Sequence, residues 1–184
     1  MNTGNDVTIH IPWVAVDPPL RSDTSSRSPD GYRAVVNQFS VATNPRYATR
    51  EGKTYCNIFV WDVTRAMGAE LPHWVDNDGH PASAGSPRAH RVSCNVLHEL
   101  LLRHGVAWGW SRVSESEAGA TANVGHPTIA IRFNPNGNGH VAVVLPAEPP
   151  GSGIVLAQAG RVRFGRGNRM EAFGNEVPEY WTHE

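Results

Sequence analysis

The feature that most constrains this chain is a change of period. Up to about residue 104 apolar residues recur at three- and four-residue spacings, whereas after Gly125 they come in short extended runs: PTIAIRF, HVAVVLP, GIVLAQAG and RVRFG. NPNGNG, AEPPGSG and a tight turn near Gly160 separate these runs, which is the pattern of hairpins in series. Helices first and hairpin-linked strands later do not make alternating βαβ units. The order predicts an α+β fold, with N-terminal helices packed on a small antiparallel sheet.

A chain of 184 residues has room for one domain with a substantial core. Residues 1–30, rich in Pro, Ser, Asp and Arg, read as an irregular arm packed by Trp13 and Val14 and followed by a mobile loop. Residues 31–184 read as a single domain, expected to be monomeric. Sixteen basic against seventeen acidic residues leave a net charge of -1, so no global field draws the protein to nucleic acid or to an anionic membrane. The basic run Arg161, Arg163, Arg166 and Arg169 reads as a solvated turn region or the rim of a groove. No apolar run approaches the roughly twenty residues of a membrane helix, so membrane insertion is not expected.

The segment TYCNIFVWDVTRAMGAE carries helical periodicity through Ile58, Phe59, Val63, Ala66 and Met67. Thr54 is the expected N-cap and Gly68 the expected stop. Cys56 then falls in the first turn of a largely buried helix, where unpaired N–H groups favour a thiolate and can also serve a developing oxyanion. A second helix is expected at about 92–104, with Val96, Leu97, Leu100 and Leu101 inward and His98 and His104 outward. Cys94 is the second cysteine, and two are too few for a disulfide scaffold. A Cys56–Cys94 bridge would consume the residue best placed for chemistry, so the two are read as unbridged.

His140 begins HVAVV directly after NPNGNG, where a strand start lifts one side chain to a sheet edge. An imidazole there suits a general base that takes the thiol proton and later protonates a leaving amine. If 140–146 pairs with 154–159 in an antiparallel hairpin, Gln158 comes beside His140. Its amide oxygen can then hold the ring N–H, as the third group of a triad does.

TYCNIFV, then GHVAVV, then AQAG resembles the order and spacing of the CHAP and NlpC/P60 group of papain-like peptidoglycan hydrolases, and the resemblance runs from about residue 37 to 165. It implies a papain-like core, with Cys56 as nucleophile, His140 as base and Gln158 as the polar third member. Gln at that position departs from the acidic residue, Asn or His usual in the group. Tyr55 stands where many relatives have Asp or Gln, which makes it a candidate for a groove contact. The implied activity is hydrolysis of an amide in peptidoglycan, either the muramoyl-L-alanine bond or a peptide bond of the stem or cross-bridge. Some relatives bind calcium just before the cysteine, but NPRYATREGKT contains no Asp, so no metal and no cofactor are expected. MNTGNDVTIH lacks the marks of a signal peptide, so the protein is expected to be made in the cytoplasm and to reach the cell wall by release or injection, as an endolysin or an effector does.

Trp74, Trp108 and Trp110 are candidates to line a groove for glycan or peptide, Trp74 and Trp110 foremost, while Trp61 reads as core. Asp62 reads as a partner for surface basic groups. His73, His80 and His90 with Cys94 imitate a zinc set without its close ligand pairing, and VDNDG falls short of a calcium loop. A metal-dependent hydrolase and a non-catalytic wall-binding module are the competing readings.

Overall fold

The computed structural model describes residues 14–184 as an α+β fold in which helices pack on an antiparallel sheet. Trp13 lies outside the described residues. α1 (Pro29–Asn37) opens on Ser28, whose side chain accepts from Gly31 N, with Pro29 in the first turn, where a missing N–H costs nothing. Its Tyr32 hydroxyl donates to the Thr128 carbonyl at 3.2 Å and accepts from Thr128 N at 3.1 Å, which pins α1 to the sheet.

α2 (Cys56–Ala66) matches the expected helix, and Gly68 follows it at φ +65, the left-handed conformation that glycine adopts without a Cβ penalty. Its start differs from expectation. Tyr55, not Thr54, is the N-cap residue, and no side chain caps the helix. α3 (Cys94–His104) begins two residues later than expected because Ser93 caps it, accepting from Val96 N. α4 (Glu115–Asn123) is set by a capping box between Ser114 and Glu117.

A two-stranded ribbon pairs β1 (Trp74–Val75) with β2 (His90–Arg91). The main sheet has six strands in the order β3-β8-β4-β5-β6-β7: β3 (Trp110–Val113), β4 (Thr128–Arg132), β5 (His140–Leu145), β6 (Val155–Ala159), β7 (Arg163–Gly167) and β8 (Glu179–His183). The four expected strands are β4 to β7. The run Glu179–His183 was not among them, and it inserts between β3 and β4 after the short α5 (Arg169–Phe173). Successive residues of β4 and β5 are buried, so both faces of the central sheet are covered, which is why these strands read as continuous apolar runs. α2 packs on β5 and β6, and α3 on β4 and β5, which brings the starts of both helices to the start of β5.

Four expectations are corrected by packing. Trp110 is wholly buried in the core and has no surface to offer a ligand. Asp62 is buried too, and its carboxylate accepts from the equally buried Arg46 at 2.7 and 2.9 Å and from the Tyr47 hydroxyl at 2.7 Å. His98 faces inward, with Nε2 3.3 Å from Glu179. The arm is anchored by its backbone, not by the Val14 side chain, which is half exposed. Arg46 donates to the Val14 carbonyl, Arg65 to that of Val16, and Ser22 N to Ala66 O.

Candidate active site

α2 differs from every other described α-helix at its N-terminus. Ser28, Ser93, Ser114 and Asn168 cap the other four with a side chain, while the first turn of α2 has none. No side chain occupies this helix start, where the field of the helix favours a negative charge, and one N–H of the turn, that of Asn57, bonds the Cys94 sulfur. Cys56 is the first residue of this turn and is 3% exposed.

The β5–β6 hairpin brings His140 to it. Val143 pairs with Ala157 and Leu145 with Val155, a register that sets Gly160 opposite His140 and puts Gln158 on the same face as the imidazole. His140 Nε2–H donates to Gln158 Oε1, and Gln158 is held from its other side by donating Nε2–H to the Val162 carbonyl at 3.1 Å. The amide orientation is thus fixed, and with it a proton on Nε2 of His140. Phe173 of α5 packs edge-on against the imidazole, ring centres 5.1 Å apart. A Cβ at position 160 would lie 3.2 Å from His140 Cε1, so Gly160 leaves room for the ring.

The titration directions agree with this geometry. The hydrogen bond from the Cys94 thiol does most to hold Cys56 well below the ordinary thiol range; burial opposes it, and His140 and the Val141 N–H add to it. Burial works against the charged form of His140, yet the contact with Cys56, the thiolate charge and Gln158 outweigh it, and the net direction is upward. Cys94 moves the other way, well above the thiol range, because its proton is shared toward Cys56 and burial disfavours a second thiolate. These directions favour negative charge on Cys56, positive charge on His140 and a proton kept on Cys94.

Two adjoining cavities flank the pair. One, of about 490 Å³, is lined by His140, Gln158, Arg132, Arg161 and Phe173, among others. The second, of about 320 Å³, is lined by Cys56, Cys94, Asn57, Ser93 and Asn95, and the two share Thr54, Asn138 and Gly139 as walls. Neither Tyr55 nor Trp74 lines either cavity; both side chains pack partly buried against the core. Of the expected site residues, the structure brings together Cys56, His140 and Gln158.

Three contributors escaped the sequence reading. Cys94 lies with its sulfur 3.2 Å from that of Cys56. Asn95 clamps the NPNGNG turn, donating to the carbonyls of Asn134 and Gly137 at 2.9 Å and accepting from Asn134 N at 3.0 Å. Gly139 passes so close that a Cβ there would fall 2.4 Å from Asn95 Oδ1 and 2.6 Å from the Arg132 carbonyl. The glycine-rich turn before His140 was the one visible signal, and it pointed to a hairpin without naming the partner that holds it.

The imagined zinc set does not assemble. His73 is buried beside Trp61, and burial pushes it down to about 4; His90 bonds Asn77, and Cys94 belongs to the cysteine site. A different group does gather on the turn after β1, where Asp76, Asp78 and His80 offer ligand atoms all within 4.8 Å of one another. Asp76 Oδ1 also accepts from the backbone of Asp78 and His80, so the turn organises itself. No helix of the described residues is long and apolar enough to cross a membrane. In comparisons with known proteins, the chain matches no family model and no curated protein.

Proposed function

We propose that this chain is a cysteine-dependent amidohydrolase with a papain-like catalytic arrangement, acting on an amide of peptidoglycan. The observation that carries the reading is His140 held between Gln158 and Cys56 at an uncapped helix start. The Cys56 thiolate attacks the carbonyl carbon, and the oxyanion that forms lies at the start of α2, which no side chain caps and whose field favours negative charge. The His140 imidazolium gives its proton to the leaving amine, which departs and leaves a thioester on Cys56. His140, now neutral, takes a proton from water, the hydroxide attacks the thioester, and the thiolate leaves. Gln158 keeps Nε2 protonated throughout, so that Nδ1 is the atom that exchanges the proton. Peptidoglycan as the substrate rests on the resemblance of TYCNIFV, GHVAVV and AQAG to wall hydrolases, and an open groove made of two cavities suits a polymer.

The test is mass spectrometry of fragments released from purified peptidoglycan by the wild type and by Cys56→Ala. New stem-peptide termini or lactyl-peptide ends that vanish with the variant support the reading and identify the bond. Binding to the wall without release by either protein favours a wall-binding module.

Asp76, Asp78 and His80 favour a second reading, a metal-dependent hydrolase, because three protein ligands with an open position are what a hydrolytic metal needs. In that case release survives Cys56→Ala and is lost to a chelator and to Asp78→Asn.

A further inference from the structure

We propose that Cys56 and Cys94 form a reversible disulfide under peroxide, a covalent modification that removes the nucleophile and so switches the site off. The loss of turnover rests on the reading of Cys56 as the nucleophile; closure of the disulfide does not.

The two cysteines are free, buried and 38 residues apart in sequence, yet their sulfurs stand 3.2 Å from one another. A disulfide requires about 2.05 Å, so the sulfurs must close by roughly 1 Å. Each is the first residue of its helix, where side-chain rotation moves the sulfur without unwinding a turn. Both line the 320 Å³ cavity, which opens beside Thr54, Asn138 and Gly139 and admits a molecule the size of hydrogen peroxide. The two thiols also differ in direction, that of Cys56 held low by Cys94 and His140 and that of Cys94 pushed high.

Chemically, the Cys56 thiolate attacks one oxygen of hydrogen peroxide and the O–O bond breaks. The departing hydroxide takes the proton held by His140 and leaves as water, and Cys56 becomes a sulfenic acid. The Cys94 sulfur then attacks the Cys56 sulfur, the S–O bond breaks, and the hydroxyl leaves as water with the Cys94 proton. Two thiols lose two electrons together, and peroxide is reduced to two waters. Exposed redox-sensor cysteines commonly have such a resolving partner close by; here it is the cysteine that also donates to the thiolate.

The experiment treats the full chain with stoichiometric hydrogen peroxide and maps non-reduced peptides by mass spectrometry, with Cys94→Ala and Cys94→Ser in parallel. The expected result is a linked peptide joining Cys56 to Cys94, a mass lower by about 2 Da for the two hydrogens lost, and full return of both thiols with a reductant. Either Cys94 variant should instead carry added oxygen on Cys56 that a reductant only partly removes. Wild-type protein that gains oxygen at Cys56 without a linked peptide, or that keeps both thiols, overturns the proposal; this arm needs no variant to fold. A linked peptide that forms while fragment release continues undiminished leaves the disulfide standing and sinks the catalytic reading of Cys56 instead.

Discussion

Cys56 and Cys94 each open an eleven-residue helix, lie in contact, and have opposite proton chemistry. The start of α3 is closed by Ser93, and beyond it Cys94 finds the Asn57 N–H and the sulfur of Cys56. The start of α2 is left open by Tyr55, and there Cys56 meets the Val141 N–H and the His140 imidazole. A helix N-terminus is common to both. What separates them is the start of the interior strand β5, which brings the His140 imidazole to one cysteine and not to the other, and the repulsion between two buried thiolates in contact then favours charge on Cys56 over Cys94.

The sharpest way to break this comparison is to remove each thiol in turn. Cys56→Ala should lower kcat on peptidoglycan by on the order of 10⁴ or more, the scale of losing a nucleophile, while Cys94→Ala keeps turnover at pH values above its acid limb; equal losses in the two variants would make the cysteines a structural pair. Gln158→Ala should reduce kcat by about 10²-fold, with KM little changed, because a freely turning imidazole is a poorer acid and base. Steady-state kinetics read both effects, and a rise in KM alone would assign Gln158 to substrate binding.

Titration sharpens the contrast further. A lowered thiol keeps Cys56 ionised as the pH falls below the ordinary thiol range, and a raised imidazole keeps His140 charged above its own ordinary range. The profile of kcat/KM should therefore rise through the pKa of Cys56 and fall through that of His140. Iodoacetamide should alkylate Cys56 at pH values where Cys94 stays unmodified. In Cys94→Ala the acid limb should move upward by about one to two pH units, the worth of one hydrogen bond to a charged group. An unmoved limb would deny Cys94 its donor role.

The smallest effect belongs to the caps. Ser93→Ala should cost about 1 kcal/mol of stability by urea denaturation and leave the alkylation rate of Cys56 nearly unchanged. A large drop in that rate would show that the two helix starts are coupled more tightly than their sulfur contact alone explains.

Much of this was legible in the chain itself. The switch from helical to extended period marked α2 and α3 before Gly125 and strands β4 to β7 after it, and the hairpin between HVAVVLP and GIVLAQAG placed Gln158 beside His140, because antiparallel register is fixed by the turn and by alternation. The helix carrying Cys56 was readable from its apolar spacing and from Gly68. Trp110 and Asp62 were not, because burial of a tryptophan or of an ion pair depends on what packs from elsewhere, here the sheet around Trp110 and Arg46 with Tyr47 around Asp62. Strands β3 and β8 were missed for a related reason: β3 pairs with β8 from far along the chain, and β8 gains its pairing only from β3 and β4 on either side.

The sequence by itself determined local conformation and the chemistry available at each position: a cysteine at a helix start, a histidine at a strand start, a glutamine one strand on. Period, caps and turns are properties of neighbours along the chain. The contact of Cys94 with Cys56, the clamp of Asn95 on the turn before His140, and the gathering of Asp76, Asp78 and His80 were decided only by tertiary structure. The first two join residues about forty positions apart, and the third depends on how a loop closes on its own backbone. Such distances are set by how helices and strands pack, and no local pattern along the chain records them.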